Sequence, residues 1–293
     1  MTSLAGQSTS ASNSQAVASP EALPTMYDLP SEFPEEPGLP DEFHDYQPQL
    51  LSRTLRLQDY ADDNRFTGTD LNVYYDTYHT LWHKRPDWFL SVDVPRWYDG
   101  RDWRMSYVTW HEKKSPAVIV EFLSLNTEKE DLGRFYHKSD KVPGSDIDPP
   151  ATAQFTSLSE ADKRNKTSPP DKFTVYEQYL KTPHYIVYSR YTQKLRYFKH
   201  NGLCYEEQAL NSQRPLIWLD DLRIGLGLWN DYYEGIPGPL LRWCDAKGNW
   251  WPTDTELERQ AKEQERQAKE DAQAKARKLA EKLRELGIDP DTL

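Results

Sequence analysis

Glu121 is the only charged side chain in Ala117–Ser124, a run otherwise made of β-forming and small residues. Such a run predicts a strand covered on both faces, inside a mixed or parallel sheet. An ionised Glu buried there costs roughly several kcal/mol unless a cation compensates it. Two further residues are placed to take part. Asp87 follows Arg85-Pro86 at the entrance of a strand, and Lys172 lies in the first turn of a helix with Tyr176 and Tyr179 at i+4 and i+7. Two carboxylates from neighbouring strands can hold Mg²⁺ or Mn²⁺, ions that take few protein ligands and keep waters for a phosphate. A bound metal acidifies water and offsets charge at phosphorus, and a nearby Lys adds a second cation. That grouping suits phosphodiester hydrolysis. The bland alternative is a structural buried acid, with Glu121 paired to Arg85 or Lys172.

Other candidates rank below these. Asp93 shares the strand face of Asp87 and is a reserve ligand. Ser124 reads as a turn residue, since no His/Asp partner is placed for it. The 7 His show no zinc spacing, and His79/His83 at i+4 lacks a helical pattern. Gly225-Leu226-Gly227 has no strand–turn–helix context for cradling phosphate.

The elements that must position these groups can be traced along the chain. Residues 1–27 lack periodicity and are expected to be disordered. Leu29–Pro40 is Pro-rich and acidic, and a short helix is expected near Asp41–His44 or Leu50–Tyr60. Asp70–Tyr78, Trp88–Val94 and Trp103–Trp110 read as strands. Alternation in Trp88–Val94 puts Asp87, Phe89, Ser91 and Asp93 on one face. Thr127–Glu130 has capping-box spacing and predicts a helix toward His137. Residues 139–170 read as a polar loop insertion. Ser168 with Pro169 predicts the start of the Lys172 helix, which runs to about Lys181 with Phe173, Tyr176 and Leu180 on one stripe. His184–Ser189 and Lys194–Lys199 are strands, and Asn201-Gly202 predicts a hairpin into Leu203–Gln208. Leu216–Leu219 is a further strand, and the Gly- and Trp-rich stretch Gly225–Trp251 closes the domain.

From Asp254 to Leu286 the chain predicts one helix of about 50 Å, capped by Thr253-Asp254-Thr255-Glu256. Its seam of Leu257, Ala261, Ala268, Ala272, Ala276, Leu279, Leu283 and Leu286 is heptad-like but Ala-heavy. It is compatible with a homodimeric coiled coil and equally with a solvated single helix. The resulting organisation is a disordered segment 1–27, a domain 28–252 and a charged helical tail 253–293.

Composition sets the outer limits. With 293 residues, 37% apolar, 10 Trp and 18 Tyr, the chain can bury a sizeable core. No stretch approaches the ~20 apolar residues of a membrane span, and no secretory signal is read at the N-terminus. Two cysteines are a poor case for an oxidising compartment, so a cytoplasmic location is expected. The net charge is −11, of which residues 1–50 supply −8, leaving a nearly neutral body that can still present a local basic patch to DNA.

Arg85-Pro86-Asp87, Val118–Ser124, Lys172–Tyr176 and His184–Tyr188 together resemble the Uma-two family, within the PD-(D/E)XK, restriction-endonuclease-like superfamily. The resemblance covers about 26–251, and the Ala-rich charged tail is similar too. It implies an α/β fold, a mixed central sheet flanked by helices and followed by the long C-terminal helix. It also implies Mg²⁺-dependent cleavage of DNA, with Asp87 and Glu121 as metal ligands and Lys172 as the catalytic lysine. Glu42 or His44 loosely matches an acidic position near the start of the family's domain. The superfamily's usual Lys position, two residues after the Glu, is Leu123 here, and the resemblance implies that the function has moved to the helix. The alternative is an inactive nuclease fold acting as a binding or scaffold module through its tail.

Overall fold

The computed structural model describes residues 41–145 and 155–286. The disorder expected for 1–27 and the Pro-rich lead-in of Leu29–Pro40 lie outside the described residues. All the elements named here lie within the unit Phe43–Leu293.

In chain order these are α1 (Phe43–Thr54), β1 (Arg65–Gly68), β2 (Val73–Tyr74), β3 (His83–Lys84), β4 (Trp88–Val92), β5 (Tyr107–Val108) and α2 (Thr109–Glu112). Next come β6 (Val118–Phe122), α3 (Glu128–Leu132), α4 (Glu160–Asn165) and α5 (Lys172–Thr174), which continues as a π-helix over Val175–Leu180. The strands β7 (His184–Ser189), β8 (Lys194–His200), β9 (Tyr205–Gln208), β10 (Leu216–Leu219), β11 (Ile224–Trp229), β12 (Tyr232–Tyr233), β13 (Ile236–Pro237) and β14 (Leu240–Cys244) follow, and α6 (Asp254–Glu285) ends the described chain.

Six strands form the central sheet in the order β1-β4-β6-β7-β8-β9. Only the β6–β7 pair is parallel; its neighbours are antiparallel. The expected mixed α/β architecture is therefore present. Every residue of β6 is buried, because the sheet separates two apolar clusters. Val118, Val120 and Phe122 face α1 and the sheet β10-β11-β14. Ile119 and Leu123 face the opposite cluster, with Leu132, Phe173, Tyr176 and Tyr185. Gln47 docks α1 onto β14 by donating to the Leu241 carbonyl and accepting from its N–H, both at 2.8 Å.

Several expectations need correction. Asp70–Tyr78 supplies only the two-residue β2, and Trp103–Trp110 only β5 before α2 begins. The strand expected to Val94 ends at Val92, because Asp93 takes a left-handed φ of 57°. That turn reverses the alternation: Val94 joins Phe89 in one cluster, while Asp93 is exposed and pairs with Lys114 at 3.2 Å. Asp93 is thus no reserve ligand. The short helix expected near Asp41–His44 or Leu50–Tyr60 is α1, which starts at Phe43 and ends at Thr54. Residues 139–170 are not merely loop: Ser159 and Asp162 form a capping box that starts α4, and Asp140 is buried against Arg196. Cys204 and Cys244 are both free.

The tail helix is as expected. Thr253 and Glu256 form the capping box, and 32 residues rise about 48 Å. Arg242, stacked on Trp229, ion-pairs with Glu256 and fastens the first turn to β14. No residue of α6 is buried, so its apolar seam faces solvent. No helix among the described residues is long and apolar enough to cross a membrane.

Candidate active site

Antiparallel register between β4 and β6 pairs Trp88 with Val120, which sets Asp87 opposite Glu121 with both side chains on one face. The Phe122 N–H donates to Asp87 Oδ2 at 2.6 Å, and the Asp87 N–H approaches Glu121 Oε2 at 3.4 Å. On that face lie α3 and the Lys172 helix. Lys172 Nζ donates to Glu121 Oε2 at 3.1 Å, and the Tyr176 hydroxyl donates to Oε1 at 2.6 Å. Glu121 is fully buried, with both oxygens occupied. Arg85, the other cation considered for Glu121, pairs instead with Asp70.

A third carboxylate enters from α3. Asp131 is buried, and its Oδ1 lies 3.5 Å from Lys172 Nζ without a hydrogen-bond partner among the described residues. Its neighbour Glu130 accepts from Lys84 Nζ at 2.7 Å and from the backbone N–H of Lys172 at 3.2 Å. The expected Thr127–Glu130 box does not form, because Glu130 is turned toward these two donors and Thr127 binds back to Ser124. Helix α3 therefore holds Lys172 twice, at its backbone through Glu130 and at its ammonium through Asp131. Asp131 was not picked out from sequence. The signal was a run of three acids in Glu128–Asp131 just beyond the Glu121 strand, which capping alone would not require.

The start of the Lys172 helix also differs. Asp171, rather than Ser168, is the N-cap, accepting from the Thr174 N–H at 2.6 Å. The wide turns of Val175–Leu180 rotate Tyr179 off the Lys172 face. It packs edge-on against Tyr75, while Tyr176 alone reaches Glu121. Such π segments concentrate at functional positions.

Three acids around one ammonium leave the cluster with excess negative charge, and protons respond. Burial, reinforced by Asp87, pushes Glu121 up to about 8 against the opposing pull of Lys172. Burial likewise raises Asp131 to about 7 and lifts Asp87 above the usual carboxylate range. For Lys172, burial works against the charge, yet Asp131, Glu121 and Asp87 outweigh it and hold the ammonium well above its ordinary value. Near neutrality the lysine is charged and the carboxyls share protons.

Among the described residues, no group of three or more His, Cys, Asp or Glu side chains is arranged to hold a metal ion. A full protein cage is absent there, but Mg²⁺ needs only one or two carboxylates and otherwise keeps its waters. Asp87 and Glu121 are the two carboxylates on this face that would hold such an ion, and Lys172 and Tyr176 occupy the Glu121 oxygens in its place. A family model described as "Putative restriction endonuclease", Uma2, matches residues 20–229. The chain belongs to the Uma2 family. No curated protein and no solved structure matches it. The Uma2 match takes in Asp87, Glu121, Asp131 and Lys172 and stops at Trp229, before β12–β14 and α6.

The remaining candidates fall away from this centre. His44 is buried and bonds through Nε2 to the Phe122 carbonyl at 3.0 Å, a contact that steadies β6 beside Glu121. Ser124 and Thr127 bond each other in a turn. His79 pairs with Asp76 and stacks on Trp82, whereas His83 bonds the Leu81 carbonyl, so they form no metal pair. Gly225 and Gly227 lie inside β11, where a Cβ at Gly225 would meet Cys244 Sγ at 2.6 Å.

Gly133 has a more direct effect on the site. It ends α3 with φ 50° and ψ −128°, and a Cβ there would meet the Phe173 ring at 2.7 Å. Gly133→Ala combines backbone strain with overpacking, and each of these costs about 1–3 kcal/mol. The expected result is a loss of roughly 2–5 kcal/mol in urea unfolding, with the Lys172 helix displaced. A variant as stable as wild type would show that this contact is not tight.

Proposed function

We propose that this Uma2 protein is a Mg²⁺-dependent nuclease that hydrolyses phosphodiester bonds in DNA. One observation carries the reading. A lysine delivered from a separate helix reaches a buried strand glutamate at 3.1 Å, and the register of the sheet sets an aspartate beside that glutamate. Uma2 membership supports the endonuclease class.

In this reading Asp87 and Glu121 hold the metal, which when bound would acidify a water and neutralise charge at the phosphate. Lys172 contributes a permanent positive charge, held by Asp131 and by Glu130 at its backbone, that orients the attacking water and the phosphate oxygens. Tyr176 fixes one Glu121 oxygen, so the carboxylate has a single orientation. The large apolar cluster around Ile119, Leu132 and Tyr185 excludes water from behind the site and strengthens these electrostatic contacts.

Calorimetry with Mg²⁺ and Mn²⁺ on the protein and on Glu121→Gln tests the reading. Binding by the first and its loss in the second, with the fold intact, are expected. Absence of binding in both, with no cleavage of any DNA form, would sink the proposal.

A second reading, an inactive nuclease fold that binds a partner or a second copy through its tail, is favoured by one observation. Leu257, Leu279 and Leu286 stand exposed along α6 with no residue of that helix buried. It expects deletion of residues 261–293, which spares Glu256 and its pair with Arg242, to abolish self-association in sedimentation while leaving the unfolding midpoint of the domain unchanged. A monomeric full-length chain removes the self-association form of this reading.

A further inference from the structure

The stretch after β4 leaves the central sheet and carries an unusual pair of arginines. Arg104 is almost wholly buried and fully engaged. It makes two bonds to Glu112, at 2.8 and 3.0 Å, and donates to the Pro95 and Arg96 carbonyls at 2.8 Å each. Arg96 is the opposite case. Its backbone is pinned on both sides, its N–H to the Asp63 carbonyl at 2.8 Å and its carbonyl by Arg104. Its guanidinium has no carboxylate or hydrogen-bond acceptor among the described residues. It sits among three rings instead, 5.5 Å from the centroid of Trp97, 5.7 Å from Trp103 and 5.8 Å from Phe66.

Two of those rings belong to a small hairpin. Tyr98 and Asp102 bridge across the turn Asp99-Gly100, which has φ 50° and 74°. Trp97 and Trp103 flank the turn, packed edge to face at 5.2 Å, and are 42% and 67% exposed. A purely structural tryptophan pair would be covered. Here two indole surfaces face water next to a cation whose donors are unused, on a base held rigid by the Arg104–Glu112 pair. Exposed indole offers a stacking surface to any base, and a guanidinium offers a forked donor to phosphate.

We propose that Trp97, Trp103 and Arg96 form a binding site for an unpaired nucleotide of a nucleic acid strand, the base stacking on indole and the phosphate bonding Arg96. The occupant follows from the chemistry. A planar aromatic group joined to an anion satisfies both features at once, whereas an apolar peptide would leave the guanidinium unanswered. This inference rests on the nucleic-acid reading of the protein but not on cleavage. Asp87 stands at one end of β4 and Arg96 lies beyond the other, and the five residues of the strand itself span about 17 Å at ~3.3 Å each. The site therefore engages a different stretch of strand from the one that would be cut.

The test is binding of a fluorescently labelled single-stranded oligonucleotide and a blunt duplex to the full chain, at low salt with chelator present, so that no cleavage is involved. Single-strand binding with quenching of tryptophan fluorescence is expected, tighter than for the duplex. Trp103→Ala and Arg96→Gln should each weaken it about tenfold or more, with unchanged thermal unfolding midpoints. Trp110→Phe, outside the trio, should match wild type. Equal affinity in Trp103→Ala, or no single-strand binding by wild type, overturns the proposal. So does self-association in sedimentation that Trp103→Ala abolishes without nucleic acid, since the face would then be an interface between copies. If metal binding and cleavage fail while the Trp103 effect holds, the nuclease reading falls and this site stands.

Discussion

Lys172→Met is expected to lower Mg²⁺-dependent DNA cleavage by two to three orders of magnitude, the range seen when one preorganised donor is removed. Met keeps the length and apolar stem of the side chain and deletes only the ammonium. That ammonium is the cation facing Glu121 at 3.1 Å and Asp131 at 3.5 Å. Losing it leaves the buried carboxylates to neutralise themselves by taking up protons, which pulls Glu121 and Asp131 further up. The variant should therefore still fold at mildly acidic pH and be weakest above neutrality. Initial rates on supercoiled and linear DNA, with unfolding curves at two pH values, check both parts. Cleavage within a few-fold of wild type would remove Lys172 from the mechanism.

A second large effect concerns stability without metal. Glu121 is held at about 8 and Asp131 at about 7, against ordinary values of 4.5 and 3.8. Between those limits the folded chain binds protons that the unfolded chain has released. Stability is then greatest below about pH 4 to 5 as far as these groups decide, and it is lost as pH rises toward 8. With a chelator, urea unfolding should show a falling free energy from pH 5 to 8. Excess Mg²⁺ should restore stability at pH 8, where the carboxylates are free to bind it, and do little at pH 5. Glu121→Gln should flatten the slope. A level profile in the wild-type protein would show that the acids are solvated.

The sheet and its carboxylate pair were legible because their signals are local. A β-run with one acid, a Pro-Asp at a strand entrance and an Asn-Gly hairpin each follow from a few adjacent residues. The Thr253 capping box is of the same kind. What escaped depends on contacts far apart in sequence. Asp131 acquires meaning only when α3 is laid beside a helix that begins at Lys172. Asp93 left the site because its backbone turns left-handed, which a period-2 pattern does not register. Ser168-Pro169 mimics a helix start as well as Asp171 does, and only the bond to Thr174 decides between them. The π turns that separate Tyr176 from Tyr179 likewise have no spacing signature.

The parallel pair β6–β7 has one more consequence. About sixty residues, 123–183, separate two strands that lie side by side, several times the dozen or so that a parallel crossover needs. Closing a longer loop adds only about 0.6 kcal/mol per doubling, so chain length between Gly133 and Asp171 carries little thermodynamic weight. A break there would leave Asp87, Glu121 and Asp131 on one fragment and Lys172 on the other. On the proposed nuclease reading neither half cleaves alone, and activity on mixing would report their reassociation. The crossover is thus a natural seam for a split protein.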